Sequence, residues 1–493
     1  MRFLLINLFF LASSLVLVAQ KPATTSKSAV ISAKPAPVKG HSIPITLTPL
    51  KNCTVYLGSY FGKGMTLVDS AKLNGQSQGR FAGSKKLTGG IYFVVSPNYA
   101  IQFELLMDDQ QQFSIVADTA NKENARIIGS PDNDLFKQYA VFTNERGRFK
   151  AQLEDSYKSA ATYADSNNLR NSILKIDSEL DAYRSNVAAK YPNSLLTLLF
   201  NVMKRPSQPA MPIVKGKVDS LYPFHYVKSH YWDDVLFNDN RLLRTPFFES
   251  KLDDYFKYYV SPEPDSIISD VKYMLLSARS GNEIYPYLLT KFTNKYMNPE
   301  FMGQDKVFVY LFENFYAKGD TNLLNPASRK TITERAYSLM ANQLGLPAPV
   351  LDLTDTTGKK QSLYGIKAPF TVVAFWDPNC GHCKDEIPQL DSLYKAKWKA
   401  KGVAIYSVNI YENEVPAWKK FIAEKQLSKE WVHAYQTKEA KQQEEKAGVP
   451  NYRQLYDIFK TPTLYLLDSN KRIIAKQLSL EQFDKLMEAK QQN

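Results

Sequence analysis

Two cysteines two residues apart, Cys380-Gly381-His382-Cys383, follow the apolar run Thr371-Val372-Val373-Ala374-Phe375-Trp376 and the turn Asp377-Pro378-Asn379. A run so rich in β-branched and aromatic residues reads as a buried central strand. Beyond the pair, Ile387, Leu390, Tyr394 and Trp398 recur at helical spacing. The pair therefore stands where a helix begins, and a helix N-terminus offers unpaired N–H groups and a positive dipole end that favour thiolate over thiol. Cys380 is then the exposed, attacking thiolate. Cys383, one turn deeper, resolves the mixed disulfide. His382 adds positive charge beside the thiolate when protonated. That stabilises the dithiol and makes the disulfide more oxidising by tens of millivolts, where about 30 mV is about 1.4 kcal/mol.

Other chemistries fit these residues less well. A zinc knuckle needs two further ligands at sensible spacing, and none follows. A structural disulfide closing so short a loop gains little loop entropy. A peroxidatic cysteine wants Pro and Thr at set places before it, where this chain has Val373 and Asp377.

The surrounding residues carry a family resemblance. The signature Cys-x-x-Cys-x-x-Glu-x-Pro is present as Cys380, Cys383, Glu386 and Pro388, after Phe375-Trp376, and Lys460-Thr461-Pro462-Thr463-Leu464-Tyr465 follows later. On these motifs residues 346–493 resemble the TlpA/ResA-type thiol–disulfide oxidoreductases of the bacterial envelope. The resemblance implies a C-terminal α/β thioredoxin-like fold in which Pro388 kinks the helix. It implies a cis bond before Pro462 that sets the Thr461 backbone against the dithiol, ready to pair with an extended substrate. Catalytic roles then fall to Cys380, Cys383, Glu386 and His382, and substrate contacts to Thr461, Pro462 and Trp376. No cofactor and no metal are implied. The partners are envelope proteins with thiols or disulfides, and a membrane oxidoreductase that gives or takes electrons.

Cys383 and Pro462 are 79 residues apart, which implies an inserted αβ unit. Trp418–Gln426 reads as its helix and Trp431-Val432-His433 as a strand. Lys471–Ala475 reads as the last edge strand and Glu481–Ala489 as the closing helix. The chain departs from the thioredoxin pattern in two places. Ala374 stands where thioredoxin has a buried acid, so on the resemblance Glu386 is the candidate to manage the Cys383 proton, or else a plain helix N-terminal acid satisfying the dipole. The Gly-His dipeptide resembles protein disulfide isomerase, which leaves oxidase or isomerase chemistry beside reduction.

The elements that must position this site belong to a chain of 493 residues, a length that suggests about three domains. With 21 Gly and 26 Pro it lies well below low-complexity composition. Three cysteines exclude a disulfide scaffold. The net charge of +13 favours acidic surfaces, but no long basic run or Gly-rich phosphate loop accompanies it, so no nucleic-acid partner is expected.

Arg2 followed by 17 uncharged residues, Phe3–Ala19, reads as a secretory signal peptide over residues 1–19. This gives a periplasmic or secreted location, with an uncleaved anchor in the inner membrane as the alternative. Residues 20–42 read as a flexible linker. Residues 43–129 show short alternating runs between turns, as in a small antiparallel β sandwich. Cys53 shares the face of Val55 and Leu57, as a structural thiol or as a third redox partner. Residues 130–345 read as an all-α domain, with helices over Leu169–Val187 and Asp265–Ser280 and Asp265 as an N-cap. Its aromatic stripe, Tyr255, Phe256, Tyr258 and Tyr259, reads as core. His225 and His230 lie five apart, which is not the helical spacing of a zinc pair. These two segments resemble the uncharacterised domains that precede thioredoxin modules in Bacteroidetes envelope proteins, most of all at Asp239–Pro246. The fold class is thus multi-domain: β, then α, then α/β. An envelope binding protein with an accessory thioredoxin domain is the reading from another class.

Overall fold

The computed structural model describes residues 40–491. The expected signal peptide and most of the expected linker therefore lie outside the described residues. The described residues form two compact units, 40–259 with 280–284, and 260–279 with 285–491.

In the first unit the strands are β1 (His41–Thr48), β2 (Thr54–Phe61), β3 (Gly64–Lys72), β4 (Gln78–Gly83), β5 (Gly90–Val95), β6 (Ile101–Met107), β7 (Ser114–Asp118) and β8 (Asn121–Ile128). They make two four-stranded sheets, ordered β4-β1-β7-β8 and β3-β2-β5-β6. Alternate residues point inward: Ile43, Ile45 and Leu47 of one sheet share a core with Val55, Leu57, Val94 and Leu105 of the other. Cys53 is half-buried against that core. One pair departs from an antiparallel sandwich. β1 and β7 run parallel, because five strands intervene before the chain returns alongside β1.

Helices α1 (Pro131–Lys158), α2 (Tyr163–Lys190) and α3 (Leu195–Met203) follow, capped by Ser130, Thr162 and Ser194. Tyr139, Val187 and Leu195 pack on Ile91 and Leu106 of the second sheet. A two-stranded hairpin, β9 (Ile213–Val214) and β10 (Lys217–Val218), precedes α4 (Tyr222–Ser229) and α5 (Phe247–Tyr258). The Asp239–Pro246 stretch is a docking element. Asp239 caps a 3-10 turn, and Arg241 pairs with both Asp239 and Asp108. A Cβ on Gly90 would lie 2.2 Å from the Arg244 Cβ, so only glycine admits this approach. Of the aromatic stripe, Tyr255 is buried and stacks among Tyr231, Trp232 and Tyr259, while Tyr258 is exposed.

The second unit contains α6 (Pro264–Ala278), most of α7 (Ile284–Met297), α8 (Asp305–Asn314) and α9 (Pro326–Met340). The N-cap of α6 is Glu263, with Pro264 at the first position. Asp265 stands inside the first turn instead and pairs with Lys306 at 2.7 Å.

The rest of this unit is one mixed sheet with helices: β11 (Asp352–Asp355), β12 (Lys360–Ser362), β13 (Thr371–Trp376), α10 (Gly381–Leu393), β14 (Ala404–Asn409), α11 (Val415–Glu424), β15 (Val432–Tyr435), α12 (Lys438–Ala447), α13 (Tyr452–Leu455), β16 (Thr463–Leu467), β17 (Ile473–Lys476) and α14 (Leu480–Gln491). The order is β12-β11-β15-β14-β13-β16-β17. β13 pairs parallel with β14 and antiparallel with β16, and every residue of β13 is buried. Its two faces divide by period: Val372, Ala374 and Trp376 join the core under α10, and Val373 and Phe375 join the core on the other side. This is a thioredoxin-like α/β domain, with the segment from α11 to α13 inserted before β16.

The last helical segment is tied to this domain by buried polar groups. Lys476 donates to Asp305 Oδ2 and Asn342 Oδ1, both at 2.6 Å. Asn342 also donates to the Leu455 carbonyl at 2.9 Å. The chain leaving α9 then pairs with β17 through Gly345 and Leu346, which covers an otherwise open edge.

Candidate active site: a dithiol beside the Thr461–Pro462 loop

β13 ends at Trp376, and the Asp377 side chain accepts from the Asn379 N–H at 2.8 Å to close the turn. Asn379 in turn donates to Glu414 at 2.8 Å, which ties this turn to the start of α11. Cys380 is the N-cap of α10 and half-buried; Cys383 is fully buried one turn on. Both are free thiols.

The antiparallel register of β13 with β16, Phe375 opposite Thr463, carries the preceding Thr461-Pro462 to the same end of the sheet. The Thr461–Pro462 bond is cis. The Cys380 thiol donates to the Thr461 carbonyl at 3.3 Å. The expected meeting of Cys380, Cys383, Thr461 and Pro462 is thus what the fold produces.

The two sulfurs have opposite acidities. Burial pushes Cys380 up, but hydrogen bonds from the Thr461 side chain, the Cys383 group and the N–H groups of Cys383 and His382 outweigh it, leaving the thiol below its ordinary value. Cys383 is pushed up to about 12, chiefly by burial. The two sulfurs are thus unequal: Cys380 gives up its proton more readily than an ordinary thiol, and Cys383 less readily.

The remaining expected site residues fall differently. His382 is exposed in the first turn of α10. Glu386 is half-buried one turn beyond Cys383 and is not among the groups acting on either sulfur. Trp376 must be corrected. It is fully buried, its indole N–H donating to Ser407 Oγ at 2.7 Å and its ring 5.2 Å from Phe421. It supports the dithiol from below and presents no face to a substrate.

Sequence reasoning missed Asn379, Glu414 and the outer support of the Thr461 loop. There, Arg335 of α9 forms an ion pair with the buried Asp457, and its guanidinium lies 4.5 Å from the Phe459 ring centroid. No local pattern marks an arginine 122 residues before its partner.

Comparison with known proteins finds matches to two parts of the chain. Residues 344–476 match the AhpC/TSA family, and residues 188–337 match a domain of unknown function (DUF5106). The thiol-disulfide oxidoreductase ResA of Bacillus thuringiensis is 30% identical over 132 residues, 27% of this chain and 68% of that protein. The chain belongs to this family of thioredoxin-like thiol–disulfide oxidoreductases. The ResA protein of Bacillus cereus is 36% identical over 85 residues, 17% of this chain and about half (48%) of its own length. Among solved structures, a domain of a possible thiol-disulfide isomerase from Cytophaga hutchinsonii is 37% identical, covering 30% of this chain and 93% of its own, with a TM-score of 0.27. A thioredoxin-like protein from Bacteroides caccae is 21% identical, covering 58% of this chain and 99% of its own, with a TM-score of 0.44. Family membership is carried by the C-terminal part, where the dithiol lies.

Proposed function

We propose that the protein exchanges disulfides with envelope proteins through the Cys380–Cys383 dithiol, in the reducing direction. The observation that carries this reading is geometric: the Cys380 thiol at the N-cap of α10 lies 3.3 Å from the Thr461 carbonyl, with buried Cys383 one turn on, and the reducing direction follows the family resemblance. The Cys380 thiolate attacks one sulfur of a substrate disulfide; that S–S bond breaks and the other substrate sulfur leaves as thiolate. Cys383 gives up its proton to solvent or to the leaving thiolate and attacks Cys380, which releases the second substrate sulfur. The substrate gains two electrons and the dithiol becomes a disulfide. A membrane oxidoreductase then returns the electrons. No bound cofactor is needed, since both electrons reside in the sulfurs.

Support for an envelope location comes from the uncharged run Phe3–Ala19; among the described residues no helix is long and apolar enough to cross a membrane. His382, exposed in the first turn of α10, favours a second reading, oxidase or isomerase, because its charge stabilises the dithiol. On this proposal Glu386 relays the Cys383 proton through water, and Thr461 and Pro462 receive the substrate backbone.

The test is covalent. With Cys383 changed to Ser, incubation with a peptide–glutathione mixed disulfide should leave an adduct on Cys380, resolved by intact mass. Without an adduct, or with the same adduct in Cys380→Ser, the reading fails.

A further inference from the structure

Phe459 is 75% exposed, although Ile458 before it is buried. A single exposed aromatic means little on its own. This one, however, is held. The Arg335 guanidinium lies 4.5 Å from its ring centroid, and a planar guanidinium over a ring is a favourable pairing. Arg335 itself is fixed by its ion pair with buried Asp457 and by the Met297 carbonyl, which accepts from its Nε at 3.3 Å and its second terminal nitrogen at 3.2 Å. Three elements, the α7 terminus, α9 and the turn after α13, thus converge to hold one ring.

Its place in the chain gives the ring its use. Phe459 lies two residues before Thr461, whose carbonyl is 3.3 Å from Cys380 Sγ. Two residues of chain reach at most about 7 Å. A substrate strand pairing with the Thr461 backbone advances about 3.3 Å per residue and puts every second side chain on one face. With the substrate cysteine at Cys380, the side chain two positions away falls beside Phe459.

We propose that Phe459 is a specificity-determining residue. It receives an apolar side chain two residues from the attacked cysteine of an extended polypeptide, and Arg335 is the positioning residue that holds it. The inference rests on the oxidoreductase reading above and names the substrate class for that same site.

The test uses the full chain, reduced, with two peptides joined to glutathione through their single cysteine and identical except for Leu or Ser two residues away. The ratio of kcat/KM for the Leu peptide over the Ser peptide should be about tenfold, as for one well-placed apolar contact. It should fall to near one in Phe459→Ser and return in Phe459→Leu. Arg335→Lys, which keeps the charge but loses the planar stack, should lower the ratio by raising KM for the Leu peptide with kcat unmoved. A wild-type ratio near one, or a ratio unchanged in Phe459→Ser, overturns the inference and leaves the oxidoreductase reading standing. Cleavage of neither peptide by the wild type overturns both.

Discussion

The Cys380 thiol and the Thr461 carbonyl oxygen lie 3.3 Å apart although 81 residues separate them in the chain. The register of β13 with β16 makes this meeting, and on the function proposed above it sets the substrate edge beside the cysteine pair.

The first prediction concerns the pH dependence of alkylation. Cys380 lies below its ordinary value, so its thiolate fraction is already rising below pH 9. Cys383, held up to about 12, stays protonated through this range. In a Cys53→Ser background, iodoacetamide should modify one thiol with a rate that rises and levels off at lower pH than that of a free cysteine, and peptide mapping should place the label on Cys380. Equal labelling of both cysteines at neutral pH would contradict the assignment.

A second prediction concerns acid. His433 is buried, and burial holds it down to about 4, while its Nε2 stands 3.2 Å from the Ser428 carbonyl. The fold therefore binds fewer protons here than the unfolded chain, whose histidine titrates near 6.5. Stability from this group is complete above pH ~6.5 and is lost as pH falls towards 4, by up to ~3 kcal/mol. Urea unfolding of the wild type and of His433→Gln at pH 7 and pH 4.5 should show a smaller acid loss in the variant.

The third prediction tests the buried tie between α8, α9 and β17. Lys476→Met removes the cation from buried Asp305 and leaves it only the Gln343 amide as a side-chain donor, and breaking such a buried ion pair typically costs about 3–5 kcal/mol. The double variant Lys476→Met with Asp305→Leu should recover much of that loss. Denaturant midpoints of the three proteins check it.

Trp376 supplies the fourth. Trp376→Phe leaves the buried Ser407 hydroxyl without its indole donor, so stability should fall by about 1–3 kcal/mol. Because the ring faces the core, KM for a peptide disulfide should not change. A raised KM with unchanged stability would return Trp376 to the substrate face.

How far the sequence reveals this molecule depends on how local each signal is. The all-apolar β13, the turn and the cysteine pair lie within 13 residues and could be read together. Trp376 was also legible: it shares the odd–even parity of Val372 and Ala374, which points it into the core beneath α10. The Thr461 loop was placed through family resemblance, because nothing local in Lys460–Tyr465 names a partner on β13. Arg335 with Asp457, and the parallel pairing of β1 with β7, depend on long-range packing that periodicity does not carry. The first-turn Asp265 shows the same limit at small scale, since Pro264 takes the first helical position and moves the cap back to Glu263.

If Cys380 and Cys383 form one redox couple, as proposed, the pair has a single measurable reduction potential. The Cys53→Ser protein would be equilibrated across glutathione ratios and the dithiol fraction read after acid quenching and alkylation. The reducing reading gives a single two-electron transition within some tens of millivolts of about −270 mV, on its oxidising side; about −180 to −120 mV favours the oxidase or isomerase reading instead. A pair that stays dithiol at every ratio, or that titrates as two independent thiols, would contradict the account.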